Sequence, residues 1–290
     1  MFSKLSNKSS ALTSIARNFN KPKYLFQGQP LHLQRNFSWF TPKPTTETEN
    51  ENNGPEKKYS YDIGLSKFLK NVYMTTSLGV VGSLGAAELA CLLELPALPL
   101  LGIGIVGTIA SCFGLNYSKS VQLERVEHGQ VVRFCKDSFG RKLAFASLSL
   151  SMGLTITPLV SLYGVGILHS ATMTSMAILG TSTAFAFWKP HLAISVGPML
   201  LTGLVGLLAL QLSGFVGMCF GAHSFVSLVH SIDVYGGALL FTGMMAYDTA
   251  SAVEQYKKND ADHIACAVEL YLDFMNLLIR LMEIFAKSKK

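Results

Sequence analysis

Residues 143–188 read LAFASLSLSMGLTITPLVSLYGVGILHSATMTSMAILGTSTAFAFW, an apolar run without one Asp, Glu, Lys or Arg. Crossing about 30 Å of hydrocarbon takes about 20 residues at a helical rise of about 1.5 Å, so the run holds two membrane crossings. Working outward, Lys142 to Asp248 encloses only Lys189 and Asp233 as charges, and Lys70 to Lys119 only Glu88 and Glu94. Spans therefore fall near 71–93, 97–117, 143–163, 167–187, 194–215, 232–253 and 264–285. The reading is an all-α, polytopic membrane bundle of about seven transmembrane helices. Residues 216–231 (VGMCFGAHSFVSLVHS) are apolar but short and carry His223 and His230, so they read as a re-entrant segment or part of an eighth helix.

The composition agrees. Of 290 residues, 49% are hydrophobic and 14% charged, against a charged share of roughly 25% in soluble domains. A soluble enzyme is disfavoured. The formal charge of +6 comes from Lys4, Lys8, Arg17, Lys21, Lys23 and Arg35, and the rest of the chain balances at 18 basic against 18 acidic residues. A neutral remainder removes the electrostatic case for a nucleic-acid partner and leaves the lipid bilayer as the expected one.

Residues 1–37 contain no acid, are rich in Ser, Asn and basic residues, and bring Phe2, Leu5, Leu12, Ile15 and Phe19 to near-helical spacing. That is the composition of a mitochondrial transit peptide. Arg35-Asn36-Phe37-Ser38 resembles a processing site that leaves Ser38 as the new N-terminus; a basic tail that binds anionic lipid is the other reading. Residues 38–67 read as a disordered polar linker, 68–286 as the membrane domain and 287–290 as a basic tail. Under seven spans, positive loops gather on one face, which places the linker and the 118–142 loop in the matrix and the C-terminus in the intermembrane space.

Several motifs invite chemistry and are better read as packing. Gly102-Ile-Gly104-Ile-Val-Gly107 spells a dinucleotide fingerprint, but lies inside an apolar span with no preceding strand. Together with Gly79, Gly82, Gly85, Gly203 and Gly206 it reads as close helix contact. Five cysteines and seven histidines show no CxxC or HExxH spacing. His169, His191, His223 and His230 read as interfacial or capping groups, and no cofactor is expected.

The last span differs. Glu269, Asp273, Asn276, Arg280 and Glu283 follow at steps of four, three, four and three, which places them on one face of a helix otherwise built from Leu, Phe, Met, Ile and Ala. Intramembrane ionisable groups turn inward and mark pathways. The preceding span ends with Tyr247-Asp248-Thr249, so Asp248 and Asp273 fall at depths that differ by about 6 Å. If they meet, they cannot both stay charged cheaply and share a proton. Losing it opens the helix contact or leaves hard oxygen ligands for a transient Ca²⁺. Glu88 reads either as a further oxygen donor or as an interfacial carboxylate. The competing reading pairs Asp273 with Arg280 or a lysine and uses Asp248 as a cap.

Gly236-Gly237-Ala-Leu-Leu-Phe-Thr-Gly243-Met-Met-Ala-Tyr247-Asp248-Thr249 followed by Glu269-Leu-Tyr271-Leu-Asp273-Phe-Met-Asn276-Leu-Leu resembles the transmembrane BAX inhibitor motif family, in particular its mitochondrial branch, over residues 60–286. The resemblance implies a seven-helix bundle with a pH-responsive aspartate latch over a Ca²⁺ pathway. For that branch it implies an inner-membrane protein tied to Ca²⁺/H⁺ exchange or a proton-gated leak, cristae organisation and apoptotic control. Bacterial relatives add a second-helix arginine to the latch, whereas 97–117 has no basic residue; Arg280 is the candidate substitute. The chain thus reads as a transporter and not an enzyme. A scaffold for inner-membrane partner proteins is the alternative. An intramembrane aspartyl protease is more remote, because Tyr271-Leu272 stands where those enzymes need Gly-x-Gly before the second Asp.

Overall fold

The computed structural model describes residues 63–118, 120–127, 130–258 and 262–289. The segment expected to be a transit peptide and most of the expected linker lie outside them. Within the described residues the chain forms α1 (Ile63–Leu92), α2 (Ala97–Tyr117), β1 (Ser120–Glu127), β2 (Gln130–Asp137), α3 (Phe139–Tyr163), α4 (Val165–Trp188), α5 (Pro190–Ser195), α6 (Gly197–Cys219), α7 (His223–Lys257) and α8 (His263–Ser288).

Each of the seven expected spans is matched by one long helix. α1 starts at Ile63, so residues 63–67, assigned to the linker, belong to its first turns, and α8 runs through Ser288 into the expected tail. The 216–231 stretch is neither re-entrant nor a separate helix. Its first four residues finish α6 and its last nine begin α7, with the break at Gly221 (φ +70°), a left-handed conformation that glycine adopts without a Cβ penalty. Gly164 (φ +89°) makes the still shorter, one-residue join between α3 and α4. The 118–142 loop contains an antiparallel hairpin, paired from Ser120↔Asp137 to Glu127↔Gln130.

α1, α2, α3, α6 and α7 are long and apolar enough to cross a membrane on their own. α4 and α8, at 24 and 26 residues, also have the length, α4 with Ser and Thr along it and α8 with several charged side chains. α4 hides its polarity within itself: Ser170, Thr172 and Thr174 donate to the carbonyls of Gly166, Leu168 and Ser170 at 2.8–3.0 Å. A hydroxyl bonded one turn back presents little unsatisfied polarity to lipid. α8 instead is surrounded by protein, packed against α1, α3, α4 and α7. Tyr271, Phe274, Met275, Leu277, Leu278 and Met282 have no exposed surface.

Small residues set how closely these helices approach. A Cβ on Gly79 would lie 2.7 Å from Phe145 Cζ, and one on Gly153 would overlap the Ser83 carbonyl, so α1 and α3 cross almost backbone to backbone. Gly104 meets α3 the same way at Ser151 O and Thr155, and Gly107 meets the Ser151 side chain, so two of the three glycines in the nucleotide-like spelling serve packing. Gly203 packs on Leu240, whereas Gly85, Gly102 and Gly206 face open space and play no such part.

Gly153→Ala is therefore expected to lower thermal stability in detergent by about 1–3 kcal/mol, the usual cost of forcing extra volume into a packed contact. Gly85→Ala is expected to be neutral or slightly stabilising, since Ala is the better helix former.

Candidate functional site

Asp248 lies nine residues before the end of α7 and Asp273 ten after the start of α8. At helical rise both are about 15 Å from that end of the helix pair. The expected difference in depth is corrected here: α7 runs four residues beyond the span drawn to 253, which brings the two carboxylates level. They face each other within side-chain hydrogen-bonding reach, and only 8% of Asp248 and 7% of Asp273 is exposed. Asp273 Oδ2 is buried with no hydrogen-bond donor among the described residues. Two acceptors in contact, one of them without a donor, are satisfied by a proton held between them.

Hydroxyl groups aim the pair. Tyr271, two residues before Asp273 and so on a different side of α8, reaches Ser83 of α1 at 2.6 Å. Ser83 Oγ lies 2.8 Å from Ser149 O and 3.0 Å from Gly79 O, so its single proton goes to a carbonyl and the Tyr271 hydroxyl donates to it. Beside Asp248, Thr249 Oγ1 donates to Met245 O at 2.9 Å, which leaves the Tyr73 hydroxyl to donate to Thr249 at 3.1 Å while it bonds Thr183 of α4 at 2.9 Å. Sequence reasoning assigned no role to Tyr73, Ser83 or Tyr271. Only the Leu-Tyr-Leu-Asp spacing hinted at the last.

The rest of the stripe divides. Glu269, half-buried, stands close enough for its charge to act on both Asp273 and Tyr247, and Glu254 acts on Tyr247 from α7. These acids lie between the pair and the end of the bundle where Asp262 starts α8. There Asp262 accepts from Ala265 N at 3.1 Å as an N-cap and from Arg141 Nη2 at 2.6 Å, both side chains being buried. This clasp between α3 and α8 was not foreseen. Asn276 donates to Leu272 O within its own helix at 2.9 Å, and Glu283 Oε2 sits 3.5 Å from His230 Nε2 of α7.

Two expectations fail. Arg280 does not serve as a substitute latch arginine: Nη2 donates to Asp233 Oδ1 at 3.0 Å and Nε to Asp233 O at 3.2 Å, so Asp273 is not its partner. Glu88 is not brought to the pair as an oxygen donor, because it hydrogen-bonds His169 Nε2 at 2.7 Å near the other end of α1. Among the described residues no group of three or more His, Cys, Asp or Glu is close enough to hold a metal ion.

These observations define a multi-pass helical membrane protein with two buried acids facing one another between α7 and α8. The chain matches the family described as inhibitor of apoptosis-promoting Bax1 over residues 65–290, and it belongs to that family. It is 30% identical over 227 residues to Bax inhibitor 1 of Oryza sativa subsp. japonica, covering 76% of this chain and 80% of that protein. It is 26% identical over 230 residues to Bax inhibitor 1 of Arabidopsis thaliana, with 76% and 81% covered. A Golgi anti-apoptotic protein of Vaccinia virus strain Lister is 30% identical over 142 residues, which cover 49% of this chain and 56% of the viral one.

Asp273→Asn puts an amide donor against Asp248, so that variant is expected to unfold in detergent at or above the parental temperature. The gain should grow toward alkaline pH, where the parental pair is left with two charges. Unfolding well below the parent at every pH would show that Asp273 is satisfied by another group.

Proposed function

We propose that this protein carries Ca²⁺ across a membrane in a pH-responsive way, with Asp248 and Asp273 as the groups that exchange a proton for the ion. The observation that carries the reading is the buried, level carboxylate pair with one oxygen lacking a donor. With the proton in place the pair holds α7 and α8 together. Without it, two facing carboxylates repel and offer hard oxygen ligands to a divalent cation.

The ligand count favours passage over storage. Ca²⁺ takes about 6–8 oxygens, and with two carboxylates and no larger acidic cluster among the described residues, water must complete the shell. Weak, partly hydrated binding suits an ion that has to leave.

We place the protein in the mitochondrial inner membrane on the composition of residues 1–37, with its family role in restraining apoptosis exerted through the matrix Ca²⁺ level. One relative is named for the Golgi, so on this reading the address belongs to the N-terminal segment and not to the bundle. Fusing residues 1–37 to a soluble reporter is expected to send it to the matrix.

Purified protein in liposomes is expected to move Ca²⁺ at a rate that depends on pH, and Asp248→Asn and Asp273→Asn are each expected to change that rate while leaving the fold intact. Parental flux in both variants would discard the carboxylate mechanism. No flux from the parent, with loss of bound partner proteins when the 118–142 hairpin is deleted, would favour the scaffold, and release of cleaved membrane peptides would mark a protease.

A further inference from the structure

The acids Glu254 and Glu269 stand on one side of the aspartate pair. On the other side, two turns along α8 from Asp273, a cation crosses the seam between α7 and α8. The Arg280 side chain, 8% exposed, lies over Gly237, where a Cβ would overlap its Nε, and over the Phe241 ring, 4.9 Å from the centroid. It ends on Asp233, and Gln211 of α6 donates to the same carboxylate oxygen at 3.2 Å. Three helices therefore meet on Asp233, and a fixed positive charge stands across the seam between the pair and the end where α8 terminates.

We propose that Arg280, seated on Asp233 across Gly237, is the gate on that side of the ion path. The proposal rests on the transport reading, since it names the residue that controls exit from the same site. While the guanidinium is seated, its charge repels a cation leaving Asp248 and Asp273, and its body closes the seam. Once it swings away, Asp233 is released and becomes the next carboxylate the cation meets. Gly237 makes this seating possible: without a side chain there, the guanidinium lies against α7, and any larger residue lifts it off.

That gives a perturbation which removes no charge. Full-length protein in liposomes is treated with a membrane-impermeant carbodiimide, and modification of Asp248 and Asp273 is followed by mass spectrometry. Gly237→Ala and Arg280→Gln are each expected to raise the labelling rate about tenfold, equivalent to about 1.4 kcal/mol of lost closing free energy. Gly236→Ala, beside it but facing open space, is expected to stay within about twofold of the parent. Parental labelling in both gate variants, or an equal rise in Gly236→Ala, would overturn the gate. Labelling does not require transport, so a tenfold rise in a protein that moves no Ca²⁺ would leave the gate standing and remove the Ca²⁺ reading alone.

Discussion

An acidic side chain halfway across a bilayer has no water to hold its charge, and its cost falls only when protein supplies a partner. In this bundle the partner of Asp273 is Asp248, and much of the packing around them follows from that. α8 is the most enclosed helix because it carries the acids. Tyr271 fastens it to α1, Tyr73 fastens α7 beside Asp248 to α4, and both aspartates are left turned toward each other. The close glycine contacts between α1 and α3 bring the Ser83 and Ser149 groups into line for this fastening.

The electrostatics differ along the seam between α7 and α8. Toward the hairpin end the pair is approached by Glu254 and Glu269 and bounded by the buried Arg141–Asp262 clasp. Toward the other end it meets Arg280 and Asp233, then Glu283 and His230 one turn farther on. Both ends of α8 are thus tied by ion pairs, at one end to α3 and at the other to α7. Breaking a pair of this kind leaves an uncompensated charge out of water, so each tie resists opening until a charged species replaces the lost partner.

Much of this was legible in the sequence, for physical reasons. Apolar length against bilayer thickness located seven helices, and the step pattern from Glu269 to Glu283 marked the one with a polar face. What escaped notice depended on contacts between distant segments. The depth of Asp248 was misjudged because the polar end of α7 continues as helix past the apolar run. Arg280 was set against Asp273 because both share a face, yet a side chain that long reaches across to Asp233 once Gly237 clears the way. Residues 216–231 misled because two helix ends joined at Gly221 look like one short apolar segment. The hairpin was hidden by its charges, although Val121, Leu123, Val126, Val131, Val132 and Phe134 already carried a strand-like composition.

Membership of the Bax inhibitor 1 family ties this architecture to relatives named for restraining cell death, and the feature of this chain most open to direct physical inspection is the proton expected between its facing carboxylates. Infrared difference spectroscopy of the protein in bilayers, titrated through neutral pH, reads that proton from the C=O stretch of a protonated carboxyl group. One such band, present at neutral pH and abolished or strongly shifted by either Asp248→Asn or Asp273→Asn, is expected. A spectrum with no protonated carboxyl at neutral pH, or a band indifferent to both substitutions, would contradict the facing pair.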